Sequence, residues 1–320
     1  MFFKKMMIWM ILITILITFS STSWFIIWLM MEMSLMFFIP IMSSNKMNYC
    51  NSVTIYFIIQ TFSSTLFFFG SLIYSINNYL LFLLLMNISI LIKLAVIPFH
   101  FWFTSISENI NFMALFLLLT MQKCIPIYVL FLFSMKSIIN AIMISTLMAS
   151  LFAMSVKFFK KILIYSSISH QGWMISLVLV NSSFWIMYLL IYSILIFQIF
   201  YILKKNNLTF MNISFFKKMD VKNKFLFVIF MLTLGGVPPF LGFFMKLYTI
   251  FIISNKISMV YLLILITSSL INIFFYFRIL TPILFNFKLL SKFLLNQPFQ
   301  KSLLMSMNLF MTILLLMLMI

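Results

Sequence analysis

Charged side chains are scarce in this chain, and acidic ones are almost absent. Only 8% of its 320 residues are charged, and the acids are three, Glu32, Glu108 and Asp220. An ordinary soluble domain has about 25% charged residues, and a disordered chain needs low hydrophobicity. Because 65% of the residues are hydrophobic, the composition excludes both a soluble globular domain and a disordered chain.

Cysteine and glycine are sparse as well. Cys50 and Cys124 are the two cysteines, and such a pair builds neither a disulfide framework nor a CxxC metal motif. Five glycines against 43 phenylalanines and 29 methionines exclude a collagen repeat, which needs glycine at every third position. An integral membrane protein is the class that remains.

Long apolar runs separated by short polar segments predict an all-α, polytopic membrane protein. One helical span takes roughly 20 residues to cross about 30 Å of hydrocarbon. The runs do not alternate apolar and polar residues, so they do not predict the strands of a membrane barrel. Eleven spans are predicted, near residues 6–20, 24–42, 53–76, 79–101, 112–133, 137–156, 162–180, 184–203, 225–252, 257–280 and 302–320.

Basic residues are unevenly distributed between the predicted loops. The net charge of +18 also suits a nucleic-acid binder, but these residues lie in short patches between apolar runs rather than beside aromatic residues on one face. We therefore predict no nucleic-acid partner and assign the bias to the positive-inside rule. With the N-terminus on the positive side, that side carries Lys4, Lys5, Lys46, Lys157, Lys160, Lys161, Lys204, Lys205, Lys217, Lys218, Lys222, Lys224, Lys288, Lys292 and Lys301. Lys136 and Lys256 lie opposite.

A few charged side chains fall inside predicted spans: Glu32, Lys93, Lys123, Lys246 and Arg278. A charge at the bilayer centre costs roughly 2.5 to 3.5 kcal/mol on insertion scales. A long basic side chain near a helix end can reach the membrane surface with its charged group. This explains Arg278 and is one possible explanation for Lys246. It does not explain Lys123, which has about ten residues of its span on either side. Glu32 and Lys93 are opposite charges on separate helices, and a functional pair is favoured over a structural one.

Prolines lie close to three of these lysines. The pairs are Lys93 with Pro98, Lys123 with Pro126, and Lys246 with Pro239 in the run LGGVPPFLGFFMK. Proline removes a backbone donor and clashes with the preceding turn. We therefore expect broken helices, which are typical of ion-carrying membrane proteins, while a plain kink is the alternative at any single proline.

The positions of these breaks also predict an internal repeat. Spans one to five and six to ten match in their lysines and prolines, and five is odd, so the two halves run in opposite directions. The predicted organisation is two inverted five-helix repeats, 1–134 and 135–283, followed by a basic loop and a C-terminal helix at 284–320.

A polar stretch, SSISHQGW, lies in the seventh span. Ser166, Ser167 and His170 are relay candidates, and helix packing is an equally good explanation for them. A haem between His100 and His170 is disfavoured because these histidines differ in depth by roughly 10 Å at the helical rise per residue. No phosphate loop is recognisable, so no cofactor and no metal are predicted in this chain.

Several motifs together resemble a known family. WLMMEMSLMFFIP, IKLAVIPFHFWF, LLLTMQKCIPI, KKILIYSSISHQGW and LGGVPPFLGFFMK closely resemble, in order and spacing, the antiporter-like membrane subunits of mitochondrial NADH:ubiquinone oxidoreductase, respiratory complex I. The resemblance covers most of 24–282. It implies a multi-pass, proton-translocating subunit of the mitochondrial inner membrane that contacts lipids and neighbouring antiporter-like subunits. It also implies that NADH, flavin, iron–sulfur clusters and ubiquinone are bound by other subunits.

The resemblance assigns roles to four residues. Glu32 matches the family's coupling glutamate, and Lys93 its partner on the first broken helix. Lys123 matches the central lysine, and Lys246 the terminal lysine on the second broken helix. The chain departs from the family after FHFW, where Thr104 and Ser105 replace Pro-Glu and only Glu108 stands nearby.

Two other functions are compatible with the same buried charges. A free-standing cation/proton antiporter would use these lysines without a redox partner, although carboxylate pairs suited to Na⁺ are missing from the sequence. A structural subunit would use the charges only to assemble neighbouring chains. Loss of pumping on neutralising the lysines would separate a proton carrier from a structural subunit.

Overall fold

The computed structural model of the chain describes residues 2–43, 47–77, 80–133, 139–206, 219–238, 240–254 and 256–290. Within these ranges every secondary-structure element is an α-helix. The chain divides into two compact units, Met1–Ser145 and Thr146–Ile320. The predicted inverted repeats, with their boundary between residues 134 and 135, stay a prediction.

The first unit is built around a long third helix. Its helices are α1 Phe2–Ser20, α2 Trp24–Met42, α3 Met47–Asn77, α4 Leu80–Lys93, α5 Phe101–Asn109, α6 Phe112–Leu119, α7 Met121–Phe133 and, across the unit boundary, α8 Ile139–Ser155. α3 packs along α2, α4 and α5, and α7 packs on α1 and α4. The core between them is mostly aliphatic and aromatic.

The second unit surrounds a deeply buried helix. Its helices are α9 Phe159–Leu179, α10 Phe184–Lys205, α11 Val221–Gly235, α12 Leu241–Ser254 and α13 Met259–Leu290. α9 packs against α10, α12 and α13, and nearly all of its residues are buried. Because α9 is buried all round, its polar groups lie inside the protein, where they need partners.

Most helices are long and apolar enough to cross a membrane. Among the described residues, seven stretches meet this condition by length and composition: Phe2–Ser20, Trp24–Met42, Cys50–Ile76, Phe112–Leu132, Phe159–Leu179, Phe184–Lys205 and Met259–Ile283. Shorter apolar helices lie at Phe82–Lys93, Ile139–Ser155, Asn223–Gly235 and Leu241–Ser254. The predicted helical membrane architecture is confirmed, since each of the first ten predicted spans falls on described helices. The eleventh, 302–320, and most of the loop at 204–224 lie outside the described residues.

Two of the predicted breaks are confirmed. The predicted span 79–101 contains α4, which ends at Lys93, and a tight non-helical segment with a cis peptide bond before Pro98. The predicted span 225–252 contains α11 and α12 with a left-handed residue, Gly236 at φ 80°, between them. Only glycine adopts this conformation without steric cost, so the sequence GG places the interruption there.

The third break is displaced from its predicted position. α6 ends at Leu119 and α7 begins at Met121, so the interruption falls at Thr120, with φ −119° and ψ −76°. Pro126 lies inside α7, which continues through it. The threonine hydroxyl and its backbone N–H both donate to the carbonyl of Phe116. The N–H of Lys123 then donates to the carbonyl of Thr120, three residues back instead of four, so the regular helical pattern is interrupted before the proline is reached. The prediction that Pro126 breaks this helix is therefore wrong.

Candidate functional site

A small cavity in the first unit brings together Lys93 and Lys123. Its volume is about 20 Å³, which is enough for roughly one water molecule. Its polar wall includes Tyr56 and Gln60 of α3 and Gln122 of α7. Two lysines that are thirty residues apart in sequence thus line one cavity together with hydrogen-bonding side chains.

Lys93 reaches this cavity because α4 ends there. The chain turns after Lys93, and Ala95 adopts a positive φ of 56°. The indole nitrogen of Trp102 donates a 3.2 Å hydrogen bond to the carbonyl of Ile92, which satisfies one of the carbonyls that a helix end leaves unpaired. A lysine in the last turn of a helix also lies where the helix dipole favours a cation.

Lys123 is held one turn after the interruption at Thr120. Its backbone N–H donates to the carbonyl of Thr120 at 3.1 Å, and its side chain is 5% exposed. The amine lies 5.6 Å from the ring centroid of Phe103 on α5, within the range of a cation–π contact. The side chain is therefore buried inside the protein.

Glu32 lies at the edge of the cavity rather than on its wall. Its neighbours on α2, Met31 and Ser34, line the cavity, while the half-buried carboxylate of Glu32 accepts a hydrogen bond from the hydroxyl of Ser64 on α3. No direct ion pair joins Glu32 and Lys93 in the part of the chain that the structure describes. The predicted switchable pair stays a prediction.

Lys246 occupies the break of the second unit. Its side chain is 6% exposed, and its amine donates a 2.6 Å hydrogen bond to the carbonyl of Gly235, the last residue of α11. The amine therefore points to a helix end inside the protein and not towards solvent. Reaching back to the membrane surface does not explain this lysine.

Arg278 has a structural role that the sequence did not reveal. Its guanidinium donates to the carbonyl oxygens of Ala153 and Met154 in the last turn of α8 and of Val156 directly after it. These are the carbonyls that a helix leaves without intrahelical partners. The arginine thus caps α8 from α13, and it needs no access to the membrane surface.

The relay candidates of the seventh span are all buried in α9. His170 is 2% exposed, and Ser166 and Ser167 are fully buried. The Nδ1 atom of His170 lies 2.8 Å from the hydroxyl of Tyr188 on α10. Both serine hydroxyls donate to carbonyls of their own helix. The histidine contact joins two helices, as the packing explanation expects, and the relay role stays a prediction.

A second polar contact joins α9 to α13. The amide of Asn272 donates a 2.8 Å hydrogen bond to the hydroxyl of Ser169. Gln171, on the same helix as Ser169, is 1% exposed, and neither end of its amide has a hydrogen-bond partner among the described residues. Buried amides of this kind usually bind ordered water. The centre of the second unit is therefore polar on several helices.

Glu108, the acid near the segment where the sequence departs from the family pattern, is not part of the cavity wall. Glu108 lies on α5 and is exposed, and it does not line the space between Lys93 and Lys123. Thr104 and Ser105 donate only to backbone carbonyls of their own helix. Within the described ranges, no group of three or more His, Cys, Asp or Glu side chains is placed to hold a metal ion.

Sequence reasoning missed several residues around the lysines. Gln60, Gln122, Ser64 and Thr120 are uncharged, so a search for buried charges passes over them. Tyr56, Gln60 and Ser64 are four residues apart and therefore lie on one face of α3. A repeated polar residue at this spacing in an apolar helix was the signal that could have identified them.

These features define a helical membrane protein with interrupted helices and buried lysines. The family model described as NADH:quinone oxidoreductase/Mrp antiporter, TM, matches residues 21–272. Among solved structures, a chain of respiratory complex I from Thermus thermophilus has a TM-score of 0.81 at 18% identity, covering 99% of this chain and 78% of that one. A chain of the Mrp complex from Dietzia sp. has a TM-score of 0.76 at 16% identity, covering 86% and 59%.

Curated relatives narrow the family further. NADH-ubiquinone oxidoreductase chain 2 of Rhipicephalus sanguineus is 48% identical over 278 residues, 87% of this chain and 88% of the relative. The protein of the same name from Anopheles gambiae is 34% identical over 287 residues, 84% of this chain and 82% of the relative. The chain belongs to the NADH-ubiquinone oxidoreductase chain 2 family.

Proposed function

We propose that this chain is a core membrane-arm subunit of respiratory complex I that moves protons across the mitochondrial inner membrane. NADH oxidation and ubiquinone reduction in other subunits supply the energy. The observation that carries the proposal is the shared cavity of Lys93 and Lys123 in a chain of this family. The buried amine of Lys123 and the half-buried Lys93 beside a space for water are suited to transferring protons, whereas lysines that only assemble subunits would lie at the surface.

Glu32 and Lys93 form the proposed switch. A carboxylate close to an ammonium stabilises the charged form of the lysine, by roughly 4 kcal/mol at 4 Å in a medium of intermediate dielectric constant. Moving one charge across 100 mV needs roughly 2.3 kcal/mol. A movement of Glu32 between Ser64 and Lys93 would therefore change the proton affinity of Lys93 by enough to oppose the membrane potential.

Lys123 is the proposed central carrier and Lys246 the terminal one. Lys123 shares a cavity with Lys93, so the first transfer needs no more than a water molecule. His170, Ser166 and Ser167 are the proposed relay towards Lys246. Lys246 already donates to a backbone carbonyl, which offers an alternative partner for its amine in the protonated state.

The same proposal specifies the membrane topology, the partners and the cofactors of the chain. Eleven spans, including 302–320, place the basic loops in the matrix and the C-terminus towards the intermembrane space. The proposed partners are other complex I subunits, especially neighbouring antiporter-like ones, and membrane lipids. The redox groups, namely flavin, iron–sulfur clusters and ubiquinone, belong to other subunits, and this chain is proposed to hold no cofactor.

Replacing Lys123 with methionine in the assembled complex tests the proposal. Methionine keeps the approximate length of the side chain and removes the charge. We expect normal assembly with slowed or uncoupled turnover, measured as protons pumped per electron in inner-membrane vesicles. Unchanged pumping per electron would show that Lys123 is not a carrier. Arg278→Met is the matched control, because it removes a cation that caps a helix and does not line the cavity.

A free-standing cation/proton antiporter is the second candidate. The fold of this chain also resembles a chain of the Mrp complex, but a likeness at 16% identity concerns the fold alone. The relatives at 48% and 34% identity bear the name of a complex I chain, which favours the complex I subunit. Isolation of the chain with flavin-containing and iron–sulfur subunits would decide between the two candidates.

A further inference from the structure

We propose that Gln60 is a positioning residue that links Glu32 to the two cavity lysines by holding a water molecule between them. This inference rests on the proposed function and adds an uncharged residue to it. Gln60 lies on α3 and is 7% exposed. Its side chain forms part of the wall of the cavity that Lys93 and Lys123 share.

The position of Gln60 on α3 places it next to the acid. Ser64, whose hydroxyl donates to the carboxylate of Glu32, lies one turn further along the same helix and on the same face. Four residues correspond to about 6 Å along a helix axis. Glu32 and Ser64 do not line the cavity, whereas Gln60 does. Of the cavity-lining polar side chains of α3, Gln60 is therefore the one nearest in sequence to the Glu32–Ser64 contact.

The amide of Gln60 is available for a water molecule. Among the described residues, no other group hydrogen-bonds to this amide, although the side chain is more than nine-tenths buried. Gln122, the other cavity glutamine, already donates to the carbonyl of Ser34 at 3.3 Å. A polar group that lines a cavity without a protein partner normally binds ordered water, and the cavity that Gln60 lines has room for roughly one molecule.

The chemistry of an amide suits positioning rather than proton carrying. Glutamine offers an acceptor oxygen and two donor hydrogens, and it does not titrate. Its oxygen can accept a hydrogen bond from a water molecule or an ammonium, and its nitrogen can donate to a water molecule or a carboxylate. An amide in this position can therefore orient water in either protonation state of Lys93 without adding a charge of its own.

Gln60→Met tests the inference in the assembled complex. Methionine conserves most of the volume and removes the hydrogen-bonding amide. We expect coupled turnover to fall about fivefold, the effect of one lost hydrogen bond in a rate-limiting step. We also expect the ratio of rates in H₂O and D₂O to rise, because proton transfer becomes slower. Gln60→Asn keeps the amide but withdraws it by one methylene, so its rate and isotope effect should lie between those of the wild type and Q60M.

Gln198→Met is the matched control. Gln198 is also a buried glutamine, 5% exposed, but it lies on α10 of the second unit and not on the cavity. Q198M should show the turnover and isotope effect of the wild type. The inference is wrong if Q60M matches Q198M, or if its turnover falls with no change in isotope effect, as a purely structural role predicts. If Q60M does not assemble, wild-type values for Q60N overturn the inference and intermediate values support it.

Lys123→Met separates this inference from the proposed function. Normal pumping by K123M would overturn the proposed function, whatever Gln60 does. If K123M stops pumping while Q60M behaves like the wild type, the proposed function stands and only the role of Gln60 is wrong.

Discussion

The amine of Lys246 donates a 2.6 Å hydrogen bond to the carbonyl of Gly235, the last residue of α11. A helix leaves its last four carbonyls without intrahelical partners, and its C-terminus carries a partial negative charge. The bond therefore places a cation where the helix end favours one. Because Lys246 is part of α12, it also holds the two halves of the interrupted span together.

Other cations of the chain cap helix ends in the same way. Lys4 donates to carbonyls at the end of α2, Lys256 to Val180 at the end of α9, and Arg278 to the end of α8. Lys4 and Lys256 are exposed, whereas Lys246 is buried. Capping alone therefore does not indicate a functional lysine. Burial distinguishes Lys246, since a buried amine must change its surroundings when it gains or loses a proton.

Gly236→Ala tests whether Gly236 makes room for the amine of Lys246. Gly236 has φ 80°, and a Cβ atom there would lie 2.9 Å from the amine of Lys246. The left-handed conformation costs an alanine roughly 1–2 kcal/mol, and the contact would displace the lysine. We expect the temperature at which quinone reductase activity is lost to fall, together with slower proton pumping.

Gly235→Ala is the control for this variant. A Cβ atom on Gly235 would meet Tyr276 at 3.4 Å and Ile273 at 3.6 Å, and Gly235 needs no positive φ. These are ordinary van der Waals distances, so we expect nearly wild-type stability and pumping. A G236A complex that behaves like G235A would contradict the idea that Gly236 makes room for Lys246.

Arg278→Met should affect stability and leave coupling intact. The arginine donates to three carbonyls at the end of α8, and losing such charge-assisted bonds costs about 1.5–3 kcal/mol each at most. We expect less assembled complex and a lower inactivation temperature, with unchanged protons per electron in the complex that remains. Arg278→Lys, which keeps the charge and fewer donors, should lie between. Altered protons per electron at normal stability would assign Arg278 a functional role instead.

The sequence was sufficient to identify the lysines and the helical architecture. Charges in apolar runs are expensive, so Lys93, Lys123 and Lys246 were recognisable without any knowledge of their neighbours. The GG pair before Pro238 likewise marked the interruption after α11, because the required conformation belongs to a single residue. A feature can be predicted in this way when it follows from the free-energy cost or the backbone conformation of a single residue.

Contacts between distant helices could not be predicted in the same way. Arg278 finds its carbonyls more than 120 residues away, and the shared cavity depends on how α3, α4 and α7 pack. The interruption at Thr120 was missed because a threonine that bonds to the preceding turn is common in membrane helices, whereas proline is a strong signal. Gln60 was missed because its amide is neutral, so a search for charged residues within apolar helices does not find it.

Cysteine labelling should establish the orientation of the basic loops. Lys204→Cys, at the end of α10, is expected to react with a membrane-impermeant maleimide only when the matrix side is accessible. Lys256→Cys, on the opposite predicted side, should react only from the intermembrane side. Cys50→Ser removes the exposed native thiol, and Cys124 is buried. Labelling of K204C from the intermembrane side would overturn the predicted topology.

Glu32→Gln and Ser64→Ala together test whether charge or hydrogen bonding governs the proposed switch between Glu32 and Lys93. Glutamine can still accept the hydrogen bond from Ser64, but it no longer attracts Lys93. We expect coupled turnover of E32Q to fall about tenfold, which corresponds to a barrier change of roughly 1.4 kcal/mol. Ser64→Ala keeps the carboxylate and removes one hydrogen bond, so its turnover should fall by no more than about fivefold.

The double variant gives the decisive comparison. The hydroxyl of Ser64 donates to the carboxylate of Glu32, and in the proposed switch it influences Lys93 only through that carboxylate. Removing Ser64 in the E32Q background should therefore change turnover little, and the two effects should not add. Ser63→Ala is the matched control, because Ser63 is also buried on α3, but within the described residues its hydroxyl donates only to the backbone carbonyl of Gln60. Additive losses from E32Q and S64A would show that Ser64 acts independently of the acid. Wild-type turnover of E32Q would show that Glu32 does not control the lysines.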